Sequence, residues 1–177
     1  MTWLIALATL VGVGIAAYFF FRRFAGNRGA RLVECPETHQ PAAVSVNAAK
    51  AAVGGRLELS QCSRWPEREA CGRECLTQIE RSPDGCLVRT MVTRWYDDKS
   101  CSVCGKAVGR VDWMDRKPAL VDPRGHFRQW QEVAPETLPG VLATHRAVCF
   151  DCYVSEAFRQ QHPELVIDNP WPSTTKQ

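Results

Sequence analysis

The sequence predicts an α+β chain: a single N-terminal transmembrane helix, then a small cysteine-rich soluble region built from a helical hairpin and a four-cysteine module with a β-hairpin insert. Three observations predict it. No charged side chain occurs from Thr2 to Phe21. Two Cys-x-x-Cys pairs, Cys101-Ser102-Val103-Cys104 and Cys149-Phe150-Asp151-Cys152, stand at the two ends of a long insert. Between the apolar run and the first pair lie Cys35, Cys62, Cys71, Cys75 and Cys86, in a stretch whose later apolar positions recur at helical spacing. The composition is that of an ordinary globular chain, 45% hydrophobic over 177 residues, enough for one domain of usual size or two small ones. A net charge of +3 is mild and argues against a dedicated nucleic-acid binder, which would concentrate basic residues on one face. The segments read as an anchor (1–23), a linker with short strands (24–60), a cysteine-rich helical hairpin (61–98), a four-cysteine module (99–165) and an irregular tail (166–177).

The anchor comes first. About 20 helical residues at 1.5 Å rise cover the roughly 30 Å hydrocarbon core of a bilayer, and Trp3 and the Tyr18–Phe21 aromatics fall at the two interfaces. A secretory signal peptide is the competing reading, but the segment lacks a basic leader and its apolar run is too long. Arg22, Arg23, Arg28 and Arg31 follow with no acidic residue before Glu34. The positive-inside rule therefore places the N-terminus outside and the soluble region in the cytoplasm. A reducing compartment agrees with nine cysteines kept for metal rather than disulfides. Ala8, Gly12 and Ala16 recur every fourth residue, a face on which small side chains let another membrane helix approach closely. The expected partners are thus integral membrane subunits and the lipid bilayer, with neither a nucleic acid nor a small-molecule substrate.

After a short linker, Ala25-Gly26-Asn27-Arg28-Gly29, extended segments are expected at Arg31–Glu34 and Ala43–Val46. A helical turn follows at Asn47–Val53, then Gly54-Gly55, then a half-buried strand at Arg56–Leu59. Cys71 and Cys75 are four apart, so a helix from Pro66 to Glu80 would put both on one side, with Ile79 a turn further on. Beyond the Ser82-Pro83-Asp84-Gly85 turn, Leu87, Val88, Met91, Val92 and Trp95 predict a second helix with Cys86 at its start. Three readings stand for this cluster. Four of Cys35, Cys62, Cys71, Cys75 and Cys86 form a second metal site, or disulfides staple the hairpin, or the thiols are buried without ligands. An iron-sulfur cluster is a version of the first, although the spacings match no common ferredoxin pattern.

In the insert, Ala119-Leu120-Val121 and His126–Trp130 flank Asp122-Pro123-Arg124-Gly125, whose proline at the second and glycine at the fourth position signal a type I turn and a β-hairpin. A short helix is expected over Pro135–Leu142, interrupted by Pro139-Gly140. Trp113 and Trp130 are expected to supply the module's apolar core, and Trp171, between Pro170 and Pro172, to dock on a partner.

Each Cys-x-x-Cys pair can bend into a turn that aims two thiolates at one point, and two pairs complete a tetrahedron. The first continues as Gly105-Lys106, where glycine lets backbone amides fold under the sulfur. The second runs into Tyr153–Gln161, a short amphipathic helix stopped near Pro163. A knuckle giving two ligands and a helix start giving two more resembles the treble-clef and zinc-ribbon class of four-cysteine modules over residues 101–161. That resemblance implies a structural zinc held by Cys101, Cys104, Cys149 and Cys152. Lys106, Arg110 and Arg146 lie close enough in sequence to offset the site's charge, about −2 by simple counting.

Catalytic constellations are missing: there is no His-Glu-x-x-His, no Gly-rich phosphate loop and no nucleophile elbow. His39, His126, His145 and His162 are scattered, with His145 a candidate substitute ligand only. The expectation is a non-enzymatic, zinc-binding accessory subunit of a larger membrane complex. Two rivals remain. The paired knuckles also resemble the rubredoxin iron site, which would make the chain an electron-transfer protein, although Phe150 and Tyr153 replace the proline and glycine typical there. A thiol-based redox or metal sensor is the other, since nine cysteines used in fours or pairs leave at least one over.

Overall fold

A computed structural model describes residues 2–68 and 70–165. The docking role expected of Trp171 and the tail 166–177 lie outside these residues. The chain forms two compact units: one runs through Trp95 and takes in Val133–Leu142, the other combines Tyr96–Glu132 with the chain from Ala143 onward.

Helix α1 (Thr2–Asn27) is a single 26-residue helix with no buried residue. It is long and apolar enough to cross a membrane. At 1.5 Å per residue it spans about 39 Å, more than a bilayer core requires. The sequence reading began a linker at Ala25; the helix instead continues to Asn27. Its end is closed from outside, because the fully buried Arg31 reaches back and donates to the carbonyls of Asn27 (3.0 Å) and Gly26 (3.2 Å). Those carbonyls have no partner inside the helix, and a guanidinium at a helix C-terminus also meets the negative end of the dipole. Ala8, Gly12 and Ala16 are all exposed.

In the first unit, β1 (Arg31–Glu34), β2 (Pro41–Val46) and β3 (Leu59–Cys62) form an antiparallel sheet in that order. Strand β1 also meets the segment after the 82–85 turn, through Leu32 N–H to Cys86 O (2.8 Å) and Val88 N–H to Ala30 O (3.0 Å). Helix α2 (Ala48–Ala52) starts where Asn47 caps it, its side chain accepting from Lys50 N–H. Two expectations fail here. The strand expected at Arg56–Leu59 forms three residues later: Gly54 and Gly55 turn the chain, Asn47 N–H takes Glu58 O, and ladder pairing begins only at Leu59.

The helix expected from Pro66 to Glu80 is likewise broken. A short α3 (Trp65–Arg68) and a separate α4 (Leu76–Arg81) flank a non-helical stretch. Arg73 sits at φ 55, in the left-handed region, directly after Gly72. No right-handed helix passes through that geometry, so Cys71 and Cys75 do not share a helix face. Helix α4 is fastened to the edge of β1 by Gln78, whose side-chain amide accepts from Glu34 N–H (3.0 Å) and donates to Glu34 O (2.7 Å). Ile79 is buried among Val33, Ala42, Val44, Val46 and Leu59. The second expected helix forms as α5 (Val88–Tyr96).

The second unit holds β4 (Ala119–Val121), β5 (Phe127–Arg128) and β6 (Arg146–Val148), antiparallel with β4 in the centre. The expected hairpin joins β4 to β5. Asp122 accepts from the N–H groups of Arg124 (2.8 Å) and His126 (2.9 Å), and Gly125 takes φ 91. That conformation requires glycine at little cost. Helix α6 (Leu138–Thr144), whose residues through Leu142 belong to the first unit, follows a 3-10 turn at Pro135–Thr137 and runs through Pro139-Gly140 without a break. A proline in the first turn gives up an N–H that has no helical partner. Helix α7 (Phe150–Gln161) closes the described chain before a 3-10 turn at Pro163–Leu165.

The core differs from the expected tryptophans. Trp113 and Trp130 are only half-buried, while Tyr96, Leu120 and Val148 are fully buried. The Tyr96 hydroxyl donates to Ala119 O (2.6 Å) and accepts from Trp130 Nε1 (3.1 Å), and the two rings meet edge to face at 5.9 Å. Trp130 therefore lids Tyr96.

Candidate metal centre

Four side chains of the second unit converge. The Sγ atoms of Cys101, Cys104, Cys149 and Cys152 all lie within 4.8 Å of one another, and Cys104 and Cys149 stand 3.9 Å apart. A metal–sulfur bond of about 2.3 Å in a tetrahedron sets the sulfurs about 3.8 Å apart, whereas a disulfide needs about 2.05 Å. The spacing is that of ligands around a shared ion.

Local structure explains the convergence. After Cys101 the chain folds back as a knuckle: Gly105 N–H bonds Cys101 O (2.9 Å), Cys101 N–H bonds Lys106 O (2.8 Å), and Gly105 takes φ 73. The knuckle is tied to β6 by Ser102 N–H to Ala147 O (2.8 Å), so the strand that leads into Cys149 also positions Cys101. Cys149 is the N-cap residue of α7, extended at φ −71, ψ 157, and Cys152 lies in that helix's first turn. Below the sulfurs sit Ala119, Val121 and Val148, with Phe127 and Tyr153 packed beside them. Gln129 holds the Tyr153 hydroxyl at 2.5 Å.

The electrostatics suit thiolates. Burial alone would raise the Cys101 thiol, but N–H groups of Cys104, Cys149 and Val103 and the Cys149 thiol donate to its sulfur and bring it down to about 6. Burial pushes Cys149 and Cys152 up, and neighbouring sulfurs add to the rise at both. Four sulfurs this close cannot all carry charge unaided. A divalent cation removes that conflict, since it deprotonates a coordinating thiol outright.

The other sequence candidates fall elsewhere. His145 pairs its Nδ1 with Thr144 Oγ1 at 2.9 Å and takes no part in the cluster. Cys35, Cys62, Cys71 and Cys75 line one cavity of the first unit. Burial raises the Cys75 thiol, and Cys62, Cys71 and Cys35 raise it further. Cys86 does not line that cavity; its thiol points to Gln78 O at 3.7 Å, with Arg31 nearby. All nine cysteines are free thiols.

Sequence reasoning missed β6, the Ala147 tether and Tyr96. Arg146-Ala147-Val148 is too short to show a period, although a strand entering a Cys-x-x-Cys pair was the available signal. No family model matches the chain, and comparison with curated proteins and with solved structures gives no match.

Proposed function

We propose that this chain is a membrane-anchored accessory subunit whose second unit is held together by a structural zinc ion bound to Cys101, Cys104, Cys149 and Cys152. The convergence of those four sulfurs within 4.8 Å carries the reading. Four thiolates complete a tetrahedral shell and leave no position for water or substrate, which favours a scaffold over a catalyst. The knuckle and helix-start arrangement supports a treble-clef or zinc-ribbon assignment. Helix α1 serves as the anchor, with Arg22, Arg23 and Arg28 favouring a cytoplasmic soluble region. Its Ala8, Gly12 and Ala16 face is the surface offered to a partner helix within a larger membrane complex.

The test is metal content by mass spectrometry with a visible absorption spectrum, on the full chain purified in detergent without oxygen. Colourless protein carrying zinc that is lost in Cys104→Ser is the expected result. Iron with thiolate charge-transfer bands replaces this reading with electron transfer. A metal-free chain, still folded, overturns it.

A further inference from the structure

The first unit carries a second convergence of thiols that the proposed zinc module does not use. Strand pleating begins it. Successive side chains alternate faces, so Cys35, two residues past Val33, continues the face of Val33, and Cys62 shares the face of its cross-strand partner Val44. Cys75 arrives from the start of α4, which packs on that same face through Ile79. The break that destroyed the expected helix brings the fourth: Gly72 and left-handed Arg73 turn the chain so that Cys71 and Cys75 line one cavity of about 160 Å³ with Cys35 and Cys62.

We propose that Cys35, Cys62, Cys71 and Cys75 form a second metal site, for a thiophilic divalent cation such as zinc, independent of the centre in the second unit. Two further features of the cavity fit that use. His39 N–H bonds Cys35 O (2.8 Å) and Cys35 N–H bonds Gln40 O (2.9 Å), with His39 at φ 53. Gly105 N–H and Lys106 O hold Cys101 in the same way, with Gly105 at φ 73, so Cys35 occupies a knuckle of the kind that supports a bound thiolate. Arg64 and Arg73 line the cavity beside Glu37 and Glu74 and offset them, so the lining adds no net charge to a site that would carry about −2. Val33, Ala42, Val44 and Leu59 form its apolar wall, which excludes water from the metal–sulfur bonds.

The four sulfurs surround the cavity, and no three of them converge within 4.8 Å as those of the second unit do. One change of cysteine rotamer moves a sulfur by about 3 Å, and the stretch bearing Cys71 has no helical bonds to break. Binding therefore contracts the cavity. Cys86, held at the free edge of β1 by its backbone bond to Leu32, does not line the cavity and is left as the ninth, unliganded thiol.

The probe is Co2+, titrated anaerobically into the metal-stripped full chain in detergent. Its d–d and thiolate charge-transfer bands count tetrahedral sulfur sites directly. Wild type is expected to saturate at two equivalents, C71S/C75S and C101S/C104S at one each, and C86S at two. Cys62→His is the second variant and keeps the test independent of any loss of fold in C71S/C75S: it should keep two equivalents while its d–d bands shift as nitrogen replaces sulfur. Saturation of wild type at one equivalent, lost in C101S/C104S, overturns the proposal. One equivalent that survives C101S/C104S and vanishes in C71S/C75S supports it and removes the zinc centre of the second unit instead. An unchanged spectrum in Cys62→His also refutes it.

Discussion

Replacing Cys104 by serine should unfold the second unit while metal is present in excess. Cys104 is exposed, so the substitution opens no cavity and acts through the metal alone. Cys104 and Cys149 are 45 residues apart, and an ion bonded to both knuckles closes that stretch into a loop. The chain-entropy relation for a crosslink gives about 4 kcal/mol at 25 °C for a loop of this size. Small domains have only about 5–15 kcal/mol in total, and each kcal/mol moves the midpoint of a 60–100-residue domain by about 4–8 °C. A fall in Tm of about 15–30 °C is therefore expected, as a lower bound, since the bond enthalpy is additional. Near-UV circular dichroism reads it through the Tyr96 and Trp130 rings, which lie edge to face at 80° within this unit. Limited proteolysis locates it, with new cuts between residues 99 and 161 and none in the sheet of the first unit. A Cys104→Ser chain that melts within a few degrees of wild type and keeps its proteolytic pattern refutes the reasoning.

Three further changes probe the supports of the two units. Gly105→Val forces a β-branched residue into φ 73 and should cost about 1–2 kcal/mol, seen as a lower urea midpoint and weaker metal retention against a chelator. Tyr96→Phe strips Ala119 O of its donor and Trp130 Nε1 of its acceptor; a loss of about 1–3 kcal/mol in denaturant melts is expected, with no change in metal content. Arg31→Met leaves the carbonyls of Gly26 and Asn27 without their buried donor and should speed amide exchange at the end of α1, measured by hydrogen–deuterium exchange in detergent.

What the sequence by itself determined is what depends on near neighbours. An uncharged run sets a long apolar helix. Two Cys-x-x-Cys pairs, one followed by Gly105 and the other by a helix, set two ligand-bearing turns. Asp122-Pro123-Arg124-Gly125 sets a hairpin, and Asn47 sets a helix start. In each case the deciding interactions lie within about four residues, where torsional preference and side chain-to-backbone bonds act before any tertiary contact exists.

The tertiary structure decided the rest. Periodicity put Cys71 and Cys75 on one helix, but Arg73 takes a left-handed turn there, and the two thiols reach one cavity by a different route. Spacing did not say which four of the five first-unit cysteines come together; strand register set Cys35 and Cys62 on one face, and a backbone bond to Leu32 left Cys86 at the free edge of β1, off the cavity. Arg31 looked like one more cation after the span, yet it is buried as the cap of α1. The core chose Tyr96 over Trp113 because a buried hydroxyl found both a donor and an acceptor across more than twenty residues of chain. Such choices rest on contacts between distant segments, whose register is fixed only when the two surfaces meet, and no local pattern encodes it.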